Sequence, residues 1–516
     1  MAGWVPILSR RLVGWGLVVG LLASACSSIT EPGAAPAGSA PPAPTTRVEP
    51  QEVTTTIEAP PAPTSTSTTT GTVPAAGARA SVVPYPPLEA PVPPAQPAAC
   101  PVVPAQAAPD PDRPVHMVDV DIDPLTGVVS GSLETHFRPD LPTDRVIYRL
   151  WPNSPRPAAV GTAMIIDAVT VDGLPAVTSQ PDTTTLLIET GPLAAGDEVV
   201  LGVDFTLEVA GPIRGRVSRD GDALRLGSFV PLLAWEPGVG WMTEPATAGF
   251  AEAAGSTVAD WTLTMRVPEG YDVLATGERD GDTWRLPAGR DVAASVGRFE
   301  MVEAIVAAPD PVLVTIGVHA GISDSPAQYL DKAAAVLTDF GSRFGPYPFP
   351  TMTLAITPGL SGGIEFPSHI QQGPGTIGRV TSHEIGHMWF YALVGNNQGR
   401  EPVIDEGLAT YAEARWESTT ASVRGRAIPS VAAGRAGEPM TFWETHLDSY
   451  YRGVYIQGAA GLIGLGDLEL VDCALRHFVA ANAHRIATQA DLIASLGLVF
   501  PDAEAALAPF GIITTR

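Results

Sequence analysis

The stretch His383-Glu384-Ile385-Gly386-His387 constrains this chain more than any other. Two histidines four apart on an α-helix project about 40° from one another, so both imidazoles leave the same face. Zinc accepts neutral imidazole nitrogens and prefers four tetrahedral ligands. A third protein ligand is therefore expected, and Ile404-Asp405-Glu406-Gly407-Leu408 supplies a carboxylate at a predicted helix start. Eighteen residues separate His387 from Glu406, enough for one helix to end, a loop to turn and a second helix to return. His383, His387 and Glu406 would hold one Zn²⁺ per chain and leave the fourth position to water, the arrangement of a catalytic rather than a closed structural site. Glu384 neighbours a ligand without being one, and would face the open position as general base.

Such a helix pair needs a core around it. A chain of 516 residues, 45% of them hydrophobic, is long enough for two domains. Its formal net charge of −25 argues against nucleic acid as a partner, because phosphate binding needs basic patches. The three cysteines, Cys26, Cys100 and Cys473, form no C-x-x-C pair, so a thiolate zinc site is not available.

Four segments follow from the pattern. Residues 1–26 read as a signal peptide: Arg10 and Arg11, an apolar run from Val13 to Leu22, then Leu22-Ala23-Ser24-Ala25-Cys26. Small residues before a cysteine resemble a bacterial lipobox, with cleavage before Cys26 and lipid on its sulfur; the alternative is a plain secretory signal. Lipidation would place the protein outside the cytoplasm, anchored to the cell membrane. Residues 27–108, rich in Pro, Ala, Thr and Ser, lack hydrophobic periodicity and read as a disordered tether. Residues 109–307 hold alternating runs at 116–123, 129–137, 184–189, 198–209 and 261–267, separated by Gly, Pro and Asp, which predicts an all-β sandwich domain. From 308 onward, helical patterns at 327–344, 457–464, 468–483 and 489–496 outnumber strands at 312–318 and 351–356, which predicts an α+β, mainly helical catalytic domain.

The chain resembles the aminopeptidase N family of gluzincin zinc metallopeptidases over nearly all of 109–516. The resemblance rests on the H-E-x-x-H motif with eighteen residues before the glutamate. It also rests on Gly362-Gly363-Ile364-Glu365-Phe366-Pro367, similar to the family's G-x-M-E-N exopeptidase motif, and on Asp448-Ser449-Tyr450-Tyr451-Arg452-Gly453, similar to its Y-x-K-G segment. Tyr148-Arg149-Leu150-Trp151-Pro152-Asn153 and Gly240-Trp241 also look familial. The resemblance implies a saddle-like β domain on a thermolysin-like catalytic domain, in a compact bacterial lipoprotein form without the large C-terminal helical domain. Met388, Ile364 and Phe366 depart from the family's usual Gln, Met and Asn.

Roles follow. Glu365 would pair with a substrate's free α-amine, and Gly362 and Gly363 would let a peptide lie close to the backbone. The resemblance places the oxyanion-stabilising tyrosine at Tyr450, with Tyr451 and Tyr455 as close competitors. Asp405, Thr410 and Glu413 are candidates to support the Glu406 ligand, or are merely solvated. Cys100 and Cys473, the two cysteines left after lipidation, are expected to pair in an oxidising compartment; the alternative is two free thiols. The expected activity is removal of N-terminal residues from peptides. The alternatives are an endopeptidase, another zinc hydrolase, or a catalytically silent peptide-binding lipoprotein.

Overall fold

The computed structural model describes residues 83–84, 99–249 and 255–514. The expected signal segment, Cys26 and most of the expected tether lie outside the described residues.

Strand Val115–Asp123 shows how the sequence selects its fold: His116, Val118, Val120 and Ile122 are buried and the residues between them are exposed. Period-two alternation of this kind makes one wet and one dry face. The strand sits centrally in an eight-stranded sheet, parallel to Ala259–Arg266 and antiparallel to Val128–Phe137. Val199–Glu208 and Ala163–Val171 extend the sheet on the far side. A four-stranded sheet built on Thr143–Arg149 and Thr185–Leu193 contributes Val146, Tyr148, Leu186 and Ile188 to the same core as Val118 and Val120. The two layers make the expected sandwich.

A further four-stranded sheet (Val217–Asp220, Ala223–Gly227, Ala293–Gly297, Asp272–Ala275) links the sandwich to the C-terminal half. Ala223–Gly227 and Ala293–Gly297 are buried at every position, so they lack the alternation that marks a half-buried strand. Ser295 Oγ lies 3.0 Å from His369 Nε2, and Thr353 Oγ1 donates to Ala275 O at 3.1 Å.

The C-terminal half is built on a six-stranded sheet ordered Val83–Pro84, Phe299–Ala307, Pro311–His319, Thr351–Ile356, His369–Gln372, Gly363–Phe366. The expected domain boundary at 307/308 falls at the turn of a hairpin in this sheet, since Phe299–Ala307 pairs antiparallel with Pro311–His319. Helices α1 (Pro326–Phe344), α2 (Arg379–Gly386), α3 (Val403–Trp416), α4 (Leu447–Tyr451), α5 (Gln457–Gly464), α6 (Leu468–Asn482) and α7 (Gln489–Gly497) accompany it, with three shorter helices between and after them. α3 is buried from Val403 to Ala414. It crosses α5 where Gly407 meets Gly458; a Cβ on Gly407 would lie 3.3 Å from the Gly458 Cα.

The end of the expected tether is tied down. Cys100 is bridged to Cys473 on α6 with a Cα–Cα separation of 5.9 Å. Beyond the bridge, Ala107 N donates to Ala480 O at 2.8 Å and His477 Nε2 lies 3.2 Å from Pro101 O. Residues 99–108 thus run along α6, held by a covalent bond and hydrogen bonds rather than by a core of their own. Val83–Pro84 pairs parallel with the outer edge of Phe299–Ala307.

Candidate active site

α2 and α3 bring His383, His387 and Glu406 together. His383 Nε2 lies 3.2 Å from His387 Nε2, and Glu406 Oε2 lies 3.3 Å from the first and 3.4 Å from the second. Ligands about 2.0–2.1 Å from a tetrahedral ion stand roughly 3.3–3.4 Å apart. The three donors therefore sit at the corners that zinc requires, and the residues fit the ion.

Each ligand is oriented from behind. His387 Nδ1 donates to Phe390 O at 3.2 Å, which leaves the Nε2 lone pair for a metal. His383 Nδ1 faces Glu413 Oε2 at 3.3 Å. Glu413 therefore supports a histidine, not the Glu406 carboxylate it was expected beside. Asp405 accepts from the Glu406 backbone N at 2.8 Å and from Gln398 Nε2 at 2.7 Å, which fixes the first turn of α3.

Glu384 is fully buried beside the ligands. Its carboxylate lies against Gly363: a Cβ there would fall 2.4 Å from Glu384 Cγ and 2.5 Å from its Oε1. Any other residue at 363 would displace the candidate base. Gly363 begins the strand Gly363–Phe366, paired on one side only, with His369–Gln372. Its other edge can pair with an added peptide. On that strand Glu365 is 5% exposed. Its carboxylate, a Glu384 oxygen and a His387 nitrogen lie within 4.8 Å of one another.

The tyrosine beside the ligands is Tyr455. Its hydroxyl donates to Glu406 Oε1 at 2.5 Å, and its ring stacks on His383 with centroids 5.7 Å apart. Tyr450 lies behind it, fully buried, packed on Trp443 at 5.8 Å and on Tyr455 at 5.6 Å. Tyr451 stands to the side, its hydroxyl accepting from Arg379 Nη1 at 2.8 Å. The placement of Tyr455 beside Glu406, with Tyr450 behind it, has a structural cause. After α4 the chain makes a π-helical turn, Arg452–Ile456, that carries Tyr455 inward before α5 resumes regular winding. Such single π-turns concentrate at functional sites.

The charges are crowded. Burial alone would lower the His387 pKa, but the Glu365 and Glu406 carboxylates outweigh it and raise it to about 9. Burial would raise Glu406, but His383 and His387 hold it down at about 2. Burial, then the charge of Glu406, pushes Asp405 up to about 8. Without a metal the pocket neutralises itself with protons; a divalent cation would take their place.

A small cleft of about 80 Å³ opens beside Glu406, with Gly363, Glu365, Glu406 and Tyr455 on one side and residues of the β domain, Trp151 and Arg216 among them, on the other.

No protein-family model matches the sequence, and no curated protein does. Solved structures resemble it. The M1 zinc metallopeptidase of Deinococcus radiodurans matches with a TM-score of 0.58 at 18% identity, covering 78% of this chain and 94% of that one. A mutant of that enzyme bound to a Tyr-Ser-Ala substrate matches with a TM-score of 0.54 at 18% identity, covering 78% and 95%. A two-domain M1 zinc metallopeptidase mutant bound to L-arginine matches with a TM-score of 0.55 at 17% identity, covering 78% and 94%. The fold is that of a two-domain M1 zinc metallopeptidase. At these identities the likeness is one of fold, and the chemistry rests on the residues.

Proposed function

We propose that this chain is a zinc-dependent aminopeptidase that removes N-terminal residues from peptides outside the cytoplasm, held to the membrane by lipid on Cys26. The observation that carries the reading is the conjunction of three zinc-spaced donors, a buried Glu384 beside them, and Glu365 on a strand with a free edge. The Cys100–Cys473 bridge supports an oxidising compartment. The fold's likeness to M1 peptidases, one with a peptide and one with an amino acid bound, favours peptide substrates.

Zinc held by His383, His387 and Glu406 would polarise the scissile carbonyl and lower the pKa of a water. Glu384 takes the proton as that water attacks, and returns it to the leaving amine. Tyr455, able to turn its hydroxyl from Glu406 toward the scissile carbonyl, donates to the oxygen on which negative charge develops. Glu365 pairs with the substrate ammonium and so selects the first peptide bond for attack. Gly362 and Gly363 let the peptide backbone approach the strand edge.

The test is incubation of the zinc-loaded mature protein with a free peptide and its N-acetylated form. Cleavage of the free peptide alone is expected. Equal cleavage of both would make the enzyme an endopeptidase, and cleavage of neither with zinc bound would make it a binding protein.

A further inference from the structure

The β-domain wall of the cleft carries three cations. Arg214 and Arg216 come from the loop before Val217–Asp220, and Arg156 from the short helix Pro155–Ala159. They line the same cleft as Glu365, Gly363 and Tyr455. The chain has 30 basic residues against 55 acidic ones, so three arginines around one cleft run against its overall charge. Glu444 beside Arg156 and Asp291 beside Arg216 offset part of that charge.

The wall is held in place from beneath by Arg225, which is 2% exposed. Its Nη2 donates to Ile213 O at 2.7 Å and its Nε to Gly215 O at 3.0 Å. Its Nη1 donates to Thr357 Oγ1 at 3.3 Å and to Pro358 O. One buried guanidinium thus ties the arginine loop to the segment that leads into Gly362 and Gly363. A second tie is Arg216 itself. Its guanidinium lies 5.2 Å from the ring centroids of both Trp151 and Phe366, and Phe366 ends the strand that carries Glu365. The spacing between the cationic wall and the amine-binding carboxylate is fixed at both points before any substrate arrives.

We propose that this wall is a carboxylate subsite, with Arg214 and Arg156 receiving a substrate carboxylate while Glu365 holds the ammonium. Guanidinium forks match carboxylates bidentately, and the two ends of a short peptide carry opposite charges suited to the two walls. The carboxylate is either the C-terminus of a short peptide or an acidic side chain, and the substrate class is a small peptide bearing one of them. The inference rests on the aminopeptidase reading for the role of Glu365.

The probes are Ala-Ala-Ala, Ala-Ala-Ala amide and Glu-Ala-Ala amide, titrated calorimetrically into zinc-loaded Glu384→Gln protein, so that binding is read without turnover. A C-terminal carboxylate subsite gives about tenfold tighter binding of the free acid than of its amide; a side-chain subsite gives a similar gain for Glu-Ala-Ala amide over Ala-Ala-Ala amide. Adding Arg156→Ala and Arg214→Ala together, with the thermal melt checked against the parent, should reduce either gain to within about twofold, and 0.5 M salt should shrink it as well. No gain from either carboxylate, or a gain that survives both arginine substitutions, overturns the subsite. A gain without turnover by the unsubstituted enzyme keeps the subsite and removes the aminopeptidase reading. Turnover of free-amine peptides without a gain does the reverse.

Discussion

Helix α3 carries two buried acid clusters with opposite electrostatic solutions. Toward its C-terminal end, Asp472 of α6 accepts from Tyr411 Oη at 2.7 Å, from Arg415 Nη2 at 2.7 Å and from Arg343 Nη1 at 2.5 Å. The two arginines are shared with Glu469 and Asp339. Every charge there meets an opposite, and α1, α3 and α6 are fastened together. In its first turns, Asp405 and Glu406 join Glu365 and Glu384 around two histidines. Arg379 pairs with Glu413 at 3.4 Å, behind His383, and the cleft arginines stand on the opposite, β-domain wall. The first cluster is complete as folded. The second has a surplus of carboxylate that protons or a divalent cation must balance, and that incompleteness separates a metal site from a structural ion-pair network.

The widest separation of the two comes from removing one charge in each. Glu384→Gln should lower kcat by about 10³–10⁴ while zinc content and melting temperature stay near the parent values, since a base is lost and no ligand is. Asp472→Asn should do the opposite. It removes the carboxylate shared by two half-buried guanidinium groups, which keep only Asp339 and Glu469 as partners, a cost of about 1.5–3 kcal/mol, with zinc still bound by the folded chain. Metal analysis, thermal melts and kcat on both variants check the contrast. Zinc loss in Glu384→Gln, or unaltered stability in Asp472→Asn, breaks it.

The metal cluster was legible in the sequence and the ion-pair cluster was not. His383 and His387 are four apart, so helical geometry alone puts them on one face, and the return of Glu406 needed only a plausible spacing. Asp472 meets partners 129, 61 and 57 positions away, a matter of how three helices cross. The same distinction runs through the fold. Val115–Asp123 declares itself by alternation, whereas Ala293–Gly297, buried on both faces, does not. Within the site, Gly363 was singled out as a place for substrate, yet it also makes room for the Glu384 side chain. The arginine wall was invisible because Arg156 and Arg216 share the cleft only once the β domain has folded.

The tyrosines sharpen the comparison at intermediate scale. Tyr450 and Tyr455 are both fully buried, but only Tyr455 places its hydroxyl on a ligand carboxylate. Sequence spacing on a regular helix cannot separate them, because the π-turn at Arg452–Ile456 resets the register between them. Tyr455→Phe should lower kcat by about 10²–10³ with little change in KM, the loss expected when one donor to a developing oxyanion is removed. Tyr450→Phe should keep kcat within about tenfold of the parent. The reverse ranking would return the oxyanion role to Tyr450.

The smallest effect tests the claim that the metal cluster is electrically unfinished. His387, raised from 6.5 to about 9, contributes stability that is fully present below pH 6.5 and lost as pH rises through 9. Asp405, raised from 3.8 to about 8, binds a proton in the fold that the unfolded chain has released, so stability falls with rising pH across that window as well. Glu406, lowered from 4.5 to about 2, acts at the other end: its contribution is present above 4.5 and lost as pH falls toward 2. The two raised groups act in one direction between pH 6.5 and 8, and His387 continues to 9. Zinc-free protein should therefore lose stability on alkaline titration, on the order of 3 kcal/mol from His387. Zinc displaces those protons, so loaded protein should hold its melting temperature over the same range. The arginines around Asp472 keep their charge throughout. Melting curves of zinc-free and zinc-loaded protein at pH 6, 7.5 and 9 should diverge as pH rises. Parallel curves would mean that the buried carboxylates are already balanced without a metal, and the distinction between the two clusters would fall.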